Sequence, residues 1–116
     1  MPFTLMWTEA AEERYRKLRA EAEASLKARN ARSATKAAKA KGLFKQVHGC
    51  VAKLAANPRH PGLKTHKFDS LSNPYDERLP VFEAYAQNRT PGAYRVFWCY
   101  GPGKSDITIL AITPHP

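Results

Sequence analysis

Arg95 interrupts an otherwise apolar segment, residues 93–100 (AYRVFWCY). A charged side chain inside a strand needs a partner or an anionic ligand, because burying it without one is costly. The planar guanidinium can hold a phosphate through two parallel hydrogen bonds. The residue pattern therefore favours phosphate binding by Arg95, and the alternative is an ion pair with a carboxylate such as that of Glu83.

His115 is the second residue whose type suggests chemistry, and it lies between Pro114 and Pro116. The two prolines limit the freedom of the backbone around it. Histidine exchanges a proton near neutral pH, as cleavage of RNA by its own 2′-hydroxyl requires. The alternative is a frayed terminal segment without a function.

The charge of the chain favours a polyanionic partner. Its 116 residues include 19 Lys and Arg but only 10 Asp and Glu, so the net charge is +9. Such an excess of positive charge on a small domain favours nucleic acid as the partner first and an acidic protein second. The alternative is that the charge only keeps the protein soluble. Residues 27–45 contain seven basic residues and no acidic one. They are expected to form a basic, partly helical connection between two helices, either a phosphate-binding finger or a solvated linker.

Length and composition exclude several classes of protein. The chain has the size of one domain, residues 1–116, with one modest core. Cys50 and Cys99 are isolated and lie in apolar stretches, so they predict reduced core residues and a cytoplasmic location rather than a disulfide scaffold. No metal or cofactor is expected, and residues 1–8 show neither a secretion signal nor a membrane segment.

The N-terminal half predicts one strand and two helices. Residues 3–7 are apolar and long enough only for a buried strand, after which Thr8 is a candidate N-cap. An amphipathic helix is expected over residues 9–27. A second apolar stripe at helical spacing covers residues 43–54, and His48 beside it is expected to be structural.

The C-terminal half predicts three strands, residues 79–88, 93–100 and 107–113, which are joined by turns rich in Pro and Gly. Short connections favour an antiparallel meander, with the N-terminal strand as a fourth member. The element order is then β-α-α-β-β-β. The sequence therefore predicts an α+β fold in which a helix hairpin packs on one face of an antiparallel sheet.

The meander also predicts which residues are neighbours. The start of the middle strand meets the ends of the other two at one edge of the sheet. We therefore expect Arg95 to lie near Gln87, Asn88, Arg89 and His115. Three further residues, Lys64, His66 and Lys67, precede the meander and could reach the same concave face.

The chain resembles the RelE/ParE superfamily of bacterial toxins over essentially its whole length. The resemblance depends on a short strand, a helix hairpin ending in "NP", a meander with "AYRVFWCY" and a closing "ILAITPHP". RelE-like members enter the ribosomal A site and cut mRNA without a metal, by in-line attack of the 2′-oxygen. ParE-like members share the fold but inhibit DNA gyrase.

The resemblance also implies site residues. Arg95 matches the arginine of the "YR" strand motif, which holds the scissile phosphate. His115 matches a position after the last strand where related toxins keep a residue for acid–base work. Glu83 and Tyr85 occupy positions where RelE itself has lysines, so that role would pass to Glu83 as a base, to Tyr85, or to Lys64 and Lys67.

The resemblance implies three functions to be weighed. The first is a ribosome-dependent mRNA endonuclease, with Lys64, His66, Lys67 and Arg89 as RNA-binding residues. The alternatives are a non-enzymatic gyrase inhibitor and a catalytically inactive RNA-binding relative. Either toxin would have an antitoxin partner, expected to be an acidic, partly disordered segment that folds on binding the basic face.

Overall fold

The computed structural model describes residues 2–24, 31–88 and 91–114, without the side chains of residues 31–33. Two α-helices precede most of the sheet: β1 (Thr4–Trp7), α1 (Glu9–Ala24), α2 (Ala31–Ala56), a short 3-10 helix (Pro61–Leu63), β2 (His66–Lys67), β3 (Phe82–Tyr85), β4 (Tyr94–Tyr100) and β5 (Asp106–Pro114). In the described part of the chain, no helix is both long and apolar enough to cross a membrane.

The five strands of the described residues form one sheet in the order β1-β5-β4-β3-β2. The predicted meander is confirmed, because β4 pairs antiparallel with both β3 and β5. The N-terminal strand joins the sheet as predicted, but it lies parallel to β5, so the sheet is mixed. The helices contact β4 and β5 from one side. The predicted α+β class with a helix hairpin on one face is confirmed.

Helix α1 begins where the sequence predicts. The hydroxyl of Thr8 accepts a hydrogen bond from the backbone N–H of Ala11 and donates one to the carbonyl of Leu110. The first bond caps the helix, and the second ties its start to β5. Thr8 therefore sets the position of the helix hairpin relative to the sheet.

Helix α2 begins earlier than predicted. Residues 31–45, predicted as part of a connection, are its first turns, whereas residues 25–30 lie outside the described residues. Alanine and lysine are strong helix formers, so residues 31–42 are helical although the apolar stripe begins only at Leu43. Its described lysines, Lys36, Lys39, Lys41 and Lys45, are exposed and give the helix a basic surface.

The core lies between the helix pair and the sheet. Ile107, Ile109 and Ile112 of β5 belong to it, although residues 109 and 112 would face opposite sides of a regular strand. An irregularity in the pairing of β4 with β5 leaves Leu110 as an extra residue, because Phe97 pairs with Ala111 and Trp98 with Ile109. This β-bulge places all three isoleucines under the helices.

The segment between β2 and β3 covers part of the second face of the sheet. Phe68 packs against Phe97 with ring centroids 4.6 Å apart, and the Tyr75 hydroxyl lies 2.9 Å from that of Thr108. Asn73 organises this segment, since its side-chain oxygen accepts the backbone N–H of Tyr75. Burial on this side explains why Phe97 is as inaccessible as residues in the main core.

Both cysteines are free and buried, as expected for reduced core residues. Burial raises the pKa of Cys50 from 9.0 to about 12 and that of Cys99 from 9.0 to about 11. We expect neither thiol to react with an aromatic disulfide reagent at pH 8 until the protein is unfolded, because reaction requires an accessible thiolate. Thiol titration with and without denaturant measures this.

The same pKa values predict how stability depends on pH. The raised folded-state values mean that the two thiols favour folding fully below pH 9, and that this contribution is lost as pH rises through about 11 and 12. The free energy of unfolding should fall over this range, and less steeply in a C50A/C99A variant. Equal slopes in both proteins, or rapid titration of native thiols, would contradict the assignment.

Candidate active site

Strand register places four of the predicted site residues on one face of the sheet, the face opposite the helices. His66 pairs with Glu83 across β2 and β3, and Tyr85 pairs with Arg95 across β3 and β4. Directly paired residues share a face, and residues two apart on a strand share it as well. His66, Glu83, Tyr85 and Arg95 therefore form one group, called here the Arg95 cluster.

Arg95 is held in place by backbone acceptors and an aromatic ring. The side chain is 7% exposed, and its Nη1 donates to the carbonyl of Gln87 at 2.6 Å and more weakly to that of Tyr94 at 3.3 Å. Its central carbon lies 3.8 Å from the centroid of the Tyr85 ring, a cation–π contact. The predicted proximity of Arg95 and Gln87 is therefore observed.

The guanidinium of Arg95 keeps hydrogen-bonding capacity. Its Nε–H is buried and has no hydrogen-bond partner among the described residues. Within the same residues no carboxylate forms an ion pair with Arg95; the carboxylate of Glu83 contacts His66 instead. A buried cation with an unsatisfied donor is suited to an oxyanion ligand such as phosphate.

Glu83 and His66 form a carboxylate–imidazole pair. Oε1 of Glu83 lies 2.5 Å from Nε2 of His66, and the glutamate side chain is 2% exposed whereas that of the histidine is 47% exposed. The other ring nitrogen, Nδ1, lies 3.3 Å from the carbonyl of Lys64. A buried carboxylate can orient the ring and balance its charge when it takes up a proton.

Tyr85 links the two halves of the Arg95 cluster. Its ring meets the His66 ring edge to face, with centroids 5.6 Å apart, and the guanidinium of Arg95 lies over the same ring. The cluster thus combines a group that can carry a proton with a cation that can neutralise an oxyanion. General acid–base catalysis at a phosphate ester needs both.

The remaining predicted site residues are not part of this group. Lys67 pairs with Phe82 and therefore lies on the helix side of the sheet, and Lys64 lines a cleft on that side. Both lysines were expected to reach the same concave face as Arg95, but of the three upstream residues only His66 does. Arg89 and His115 lie outside the described residues.

His66 is the residue whose position the sequence does not reveal. It was expected to contact RNA, but it lies directly against the candidate base Glu83. The pair forms because a two-residue strand adds to β3, and the sixteen residues between His66 and Glu83 conceal that pairing in the sequence. A histidine that precedes a predicted strand belongs to no hydrophobic repeat, so residue spacing does not predict its partner.

His48 agrees with its expected structural role. Its Nδ1 lies 2.8 Å from the hydroxyl of Tyr15, and its ring lies against Phe44. Burial raises the pKa of Tyr15, although nearby Arg19 opposes the change. This bond joins α1 to α2 on the far side of the core, so His48 is no part of the Arg95 cluster. No group of three His, Cys, Asp or Glu residues in the described ranges could hold a metal ion.

No protein-family model and no curated protein sequence matches this chain. Three solved structures do, each with a TM-score of 0.56. The YoeB dimer from Staphylococcus aureus is 12% identical, with full coverage of both chains. A YoeB/ParE toxin from Agrobacterium tumefaciens is 8% identical, with coverage of 97% of this chain and 99% of that one.

The third structure is an archaeal RelE–RelB complex from Pyrococcus horikoshii OT3, which is 14% identical and matches 98% of this chain and 96% of that chain. All three similarities extend over nearly the whole length of both partners. They include the helix hairpin and the mixed sheet that carries the Arg95 cluster. The chain therefore has the fold of the RelE/ParE superfamily of bacterial toxins.

Proposed function

We propose that the protein is a ribosome-dependent mRNA endonuclease that cleaves RNA through its 2′-hydroxyl without a metal ion. The observation that carries the proposal is the Arg95 cluster, in which a carboxylate–imidazole pair and a buried arginine meet at one tyrosine ring. Cleavage of a phosphodiester by its own 2′-oxygen needs a base, an acid and a cation. The cluster supplies the base and the cation.

The roles follow from chemistry. His66, whose Nε2–H is held by Glu83, takes the proton of the 2′-hydroxyl at Nδ1, which turns away from the carbonyl of Lys64, as the 2′-oxygen attacks phosphorus. Arg95 neutralises the charge that grows on the phosphate oxygens. The bond to the 5′-oxygen breaks and leaves a 2′,3′-cyclic phosphate, and the departing oxygen receives a proton from His115. The role of His115 depends on the resemblance to RelE-like enzymes.

The basic surface supports a nucleic-acid substrate. The net charge of +9 and the exposed lysines of α2 would seat the domain on ribosomal RNA, with Lys64, Lys67 and Arg89 as further contacts. Binding of this kind weakens steeply as salt concentration rises, because phosphate contacts release counterions. RNA would then approach the cluster from the side of exposed His66 and half-buried Tyr85.

An antitoxin is the expected protein partner. One structural neighbour is a RelE–RelB complex and another is a YoeB dimer, so relatives of this fold form protein complexes. We propose that an acidic segment, disordered when free, folds over the basic face and blocks the Arg95 cluster. Such a segment would bind with strong salt dependence.

A second candidate function is inhibition of DNA gyrase, since one neighbour is named as a YoeB/ParE toxin. A catalytically inactive RNA-binding relative is the third. An inhibitor needs no acid–base pair, and a decayed relative would cause no growth defect. Separate assays of translation and DNA supercoiling after induced expression distinguish these functions.

The substitution His115→Gln tests the proposal. We expect it to abolish growth arrest and mRNA cleavage, because glutamine cannot donate the proton that the 5′-oxygen requires. Primer extension on cellular mRNAs after induction measures the cuts, and circular dichroism checks that the fold is intact. Cleavage retained in a folded His115→Gln protein would remove His115 from the mechanism, and an absence of cuts with the unchanged protein would overturn the nuclease.

A further inference from the structure

A second concave site lies on the helix side of the sheet, away from the Arg95 cluster. It is a cleft of about 480 Å³ between the segment that follows α2, the 3-10 helix and the strands β3 and β4. We call it the aromatic cleft. Its volume falls within the range of about 300–1,000 Å³ that is usual for small-molecule sites. The proposed cleavage reaction makes no use of it.

Three aromatic rings line the aromatic cleft: Phe82, Trp98 and Tyr100. Phe82 and Trp98 are stacked with centroids 4.8 Å apart, and Tyr100 meets both edge to face. Tyr100 is 41% exposed, and a ligand that covers its ring would remove apolar surface from water. Such rings bind planar, apolar ligands by stacking.

The other side of the aromatic cleft is basic. Arg59, His60 and Lys64 line it and are exposed, and no carboxylate is among its described lining residues. Nδ1 of His60 accepts the backbone N–H of Gly62 at 2.9 Å, so Nε2 carries the proton of the neutral ring and is a donor. The cleft therefore offers several donors to an anion.

Two buried polar groups of the lining lack partners. Trp98 is 1% exposed, and its indole N–H makes no hydrogen bond among the described residues; the same holds for the hydroxyl of Thr65. Buried donors without partners are rare in folded proteins.

We propose that the aromatic cleft binds a nucleoside phosphate unit, with its base against Tyr100 and its phosphate on Arg59 and Lys64. A flat heterocycle suits the aromatic rings, and a phosphate suits the basic side. The unit is a free nucleotide or one nucleotide of a single-stranded RNA. Lys64 and Thr65 directly precede His66 in the chain, so the aromatic cleft and the Arg95 cluster lie on opposite faces of the sheet and are joined by this segment.

Binding is measured on the intact protein in a ¹H–¹⁵N spectrum, which shows one indole N–H signal for each tryptophan. The two signals belong to Trp7 and Trp98. A Trp7→Phe variant lacks the first signal and so assigns both. The ligands are adenosine monophosphate, uridine monophosphate, adenosine, inorganic phosphate and a short single-stranded oligoribonucleotide. We expect a nucleotide to shift the Trp98 signal and leave that of Trp7 in place. Tighter binding of the oligoribonucleotide would indicate a strand site, and tighter binding of the mononucleotide a free-nucleotide site.

Arg59 and Arg78 are exposed, so replacing either of them with alanine is not expected to unfold the protein. Arg59→Ala should weaken nucleotide binding by about tenfold, because one charge-assisted contact is lost. Arg78→Ala removes an equal charge from an exposed arginine that pairs with Asp76, outside the cleft, and should leave binding within about twofold of the original. Arg95→Lys should also leave the Trp98 response unchanged, which separates this site from the proposed cleavage site.

Four outcomes would overturn the proposal. The first is an unmoved Trp98 signal at millimolar nucleotide, and the second is equal weakening by Arg59→Ala and Arg78→Ala. The third is an identical response to inorganic phosphate alone, which would make the cleft a simple anion site. The fourth is a Trp98 shift caused by an acidic peptide but by no nucleotide, which would assign the cleft to a protein partner.

Discussion

Replacing Arg95 with lysine is expected to slow RNA cleavage by about 100-fold or more, which is the usual loss when one preorganised donor to a developing oxyanion is removed. Lysine keeps the positive charge. It loses the planar fork that can grip two phosphate oxygens at once and the flat surface that lies on Tyr85. The charge alone therefore does not replace the geometry.

The buried position of Arg95 makes this effect large. The guanidinium is 7% exposed and is oriented by the carbonyl of Gln87, so it is in place before a phosphate arrives. A donor that need not reorganise contributes more to the transition state than a mobile surface lysine does. A lysine side chain is shorter and ends in one amine, which would have to donate hydrogen bonds both to the carbonyl of Gln87 and to the phosphate.

The measurement is single-turnover cleavage of mRNA on programmed ribosomes. Arg78→Lys is the matched control, because Arg78 is an exposed arginine held by Asp76 outside the cluster. Thermal unfolding of both variants checks that the Arg95→Lys protein is folded at the assay temperature. Full activity of folded Arg95→Lys would show that Arg95 does not hold the scissile phosphate.

The fold was predictable where local pattern and packing agree. The apolar stripe of α2 supplies Val47, Cys50 and Leu54 to the core, and the strand segments around β4 and β5 are correct to within one residue at each end. The start of α2 was not predictable from an apolar stripe, because residues 31–42 extend beyond the core. Their helix depends on alanine and lysine propensity alone.

The site was less predictable because its geometry depends on pairing. Glu83 and Arg95 share a face only if β3 and β4 align as they do, and a shift of one residue would have moved Glu83 to the helix side. The short strand β2 forms by pairing with β3, so no local sequence pattern predicts it. The types of the residues indicated phosphate chemistry, but only the pairing joins His66 to Glu83.

The substitutions Glu83→Gln and His66→Gln are each expected to reduce cleavage by about 100-fold or more, within the range of a lost general base. If the carboxylate acts through the imidazole, the double variant should be no slower than the slower single variant, because the second substitution removes nothing that still functions. The contact of 2.5 Å between the two side chains supports such coupling.

Glu77→Gln and His48→Gln are the matched controls. Glu77 is exposed, His48 joins α1 to α2 through Tyr15, and both lie outside the Arg95 cluster, so these substitutions make the same chemical changes away from it. Each control variant that is folded at the assay temperature should cleave at a rate within about twofold of the unchanged protein, although His48→Gln should lower the unfolding temperature. Circular dichroism and thermal unfolding establish that each protein is folded.

The dependence of rate on pH separates catalysis from mere positioning. A base and an acid give a bell-shaped profile, and His66→Gln should remove the limb that belongs to the base while a structural change would lower the whole curve. If the double variant instead loses the product of the two single effects, the residues act independently. A folded His66→Gln protein with an unchanged profile would return the role of base to Glu83 alone, in direct contact with the 2′-hydroxyl.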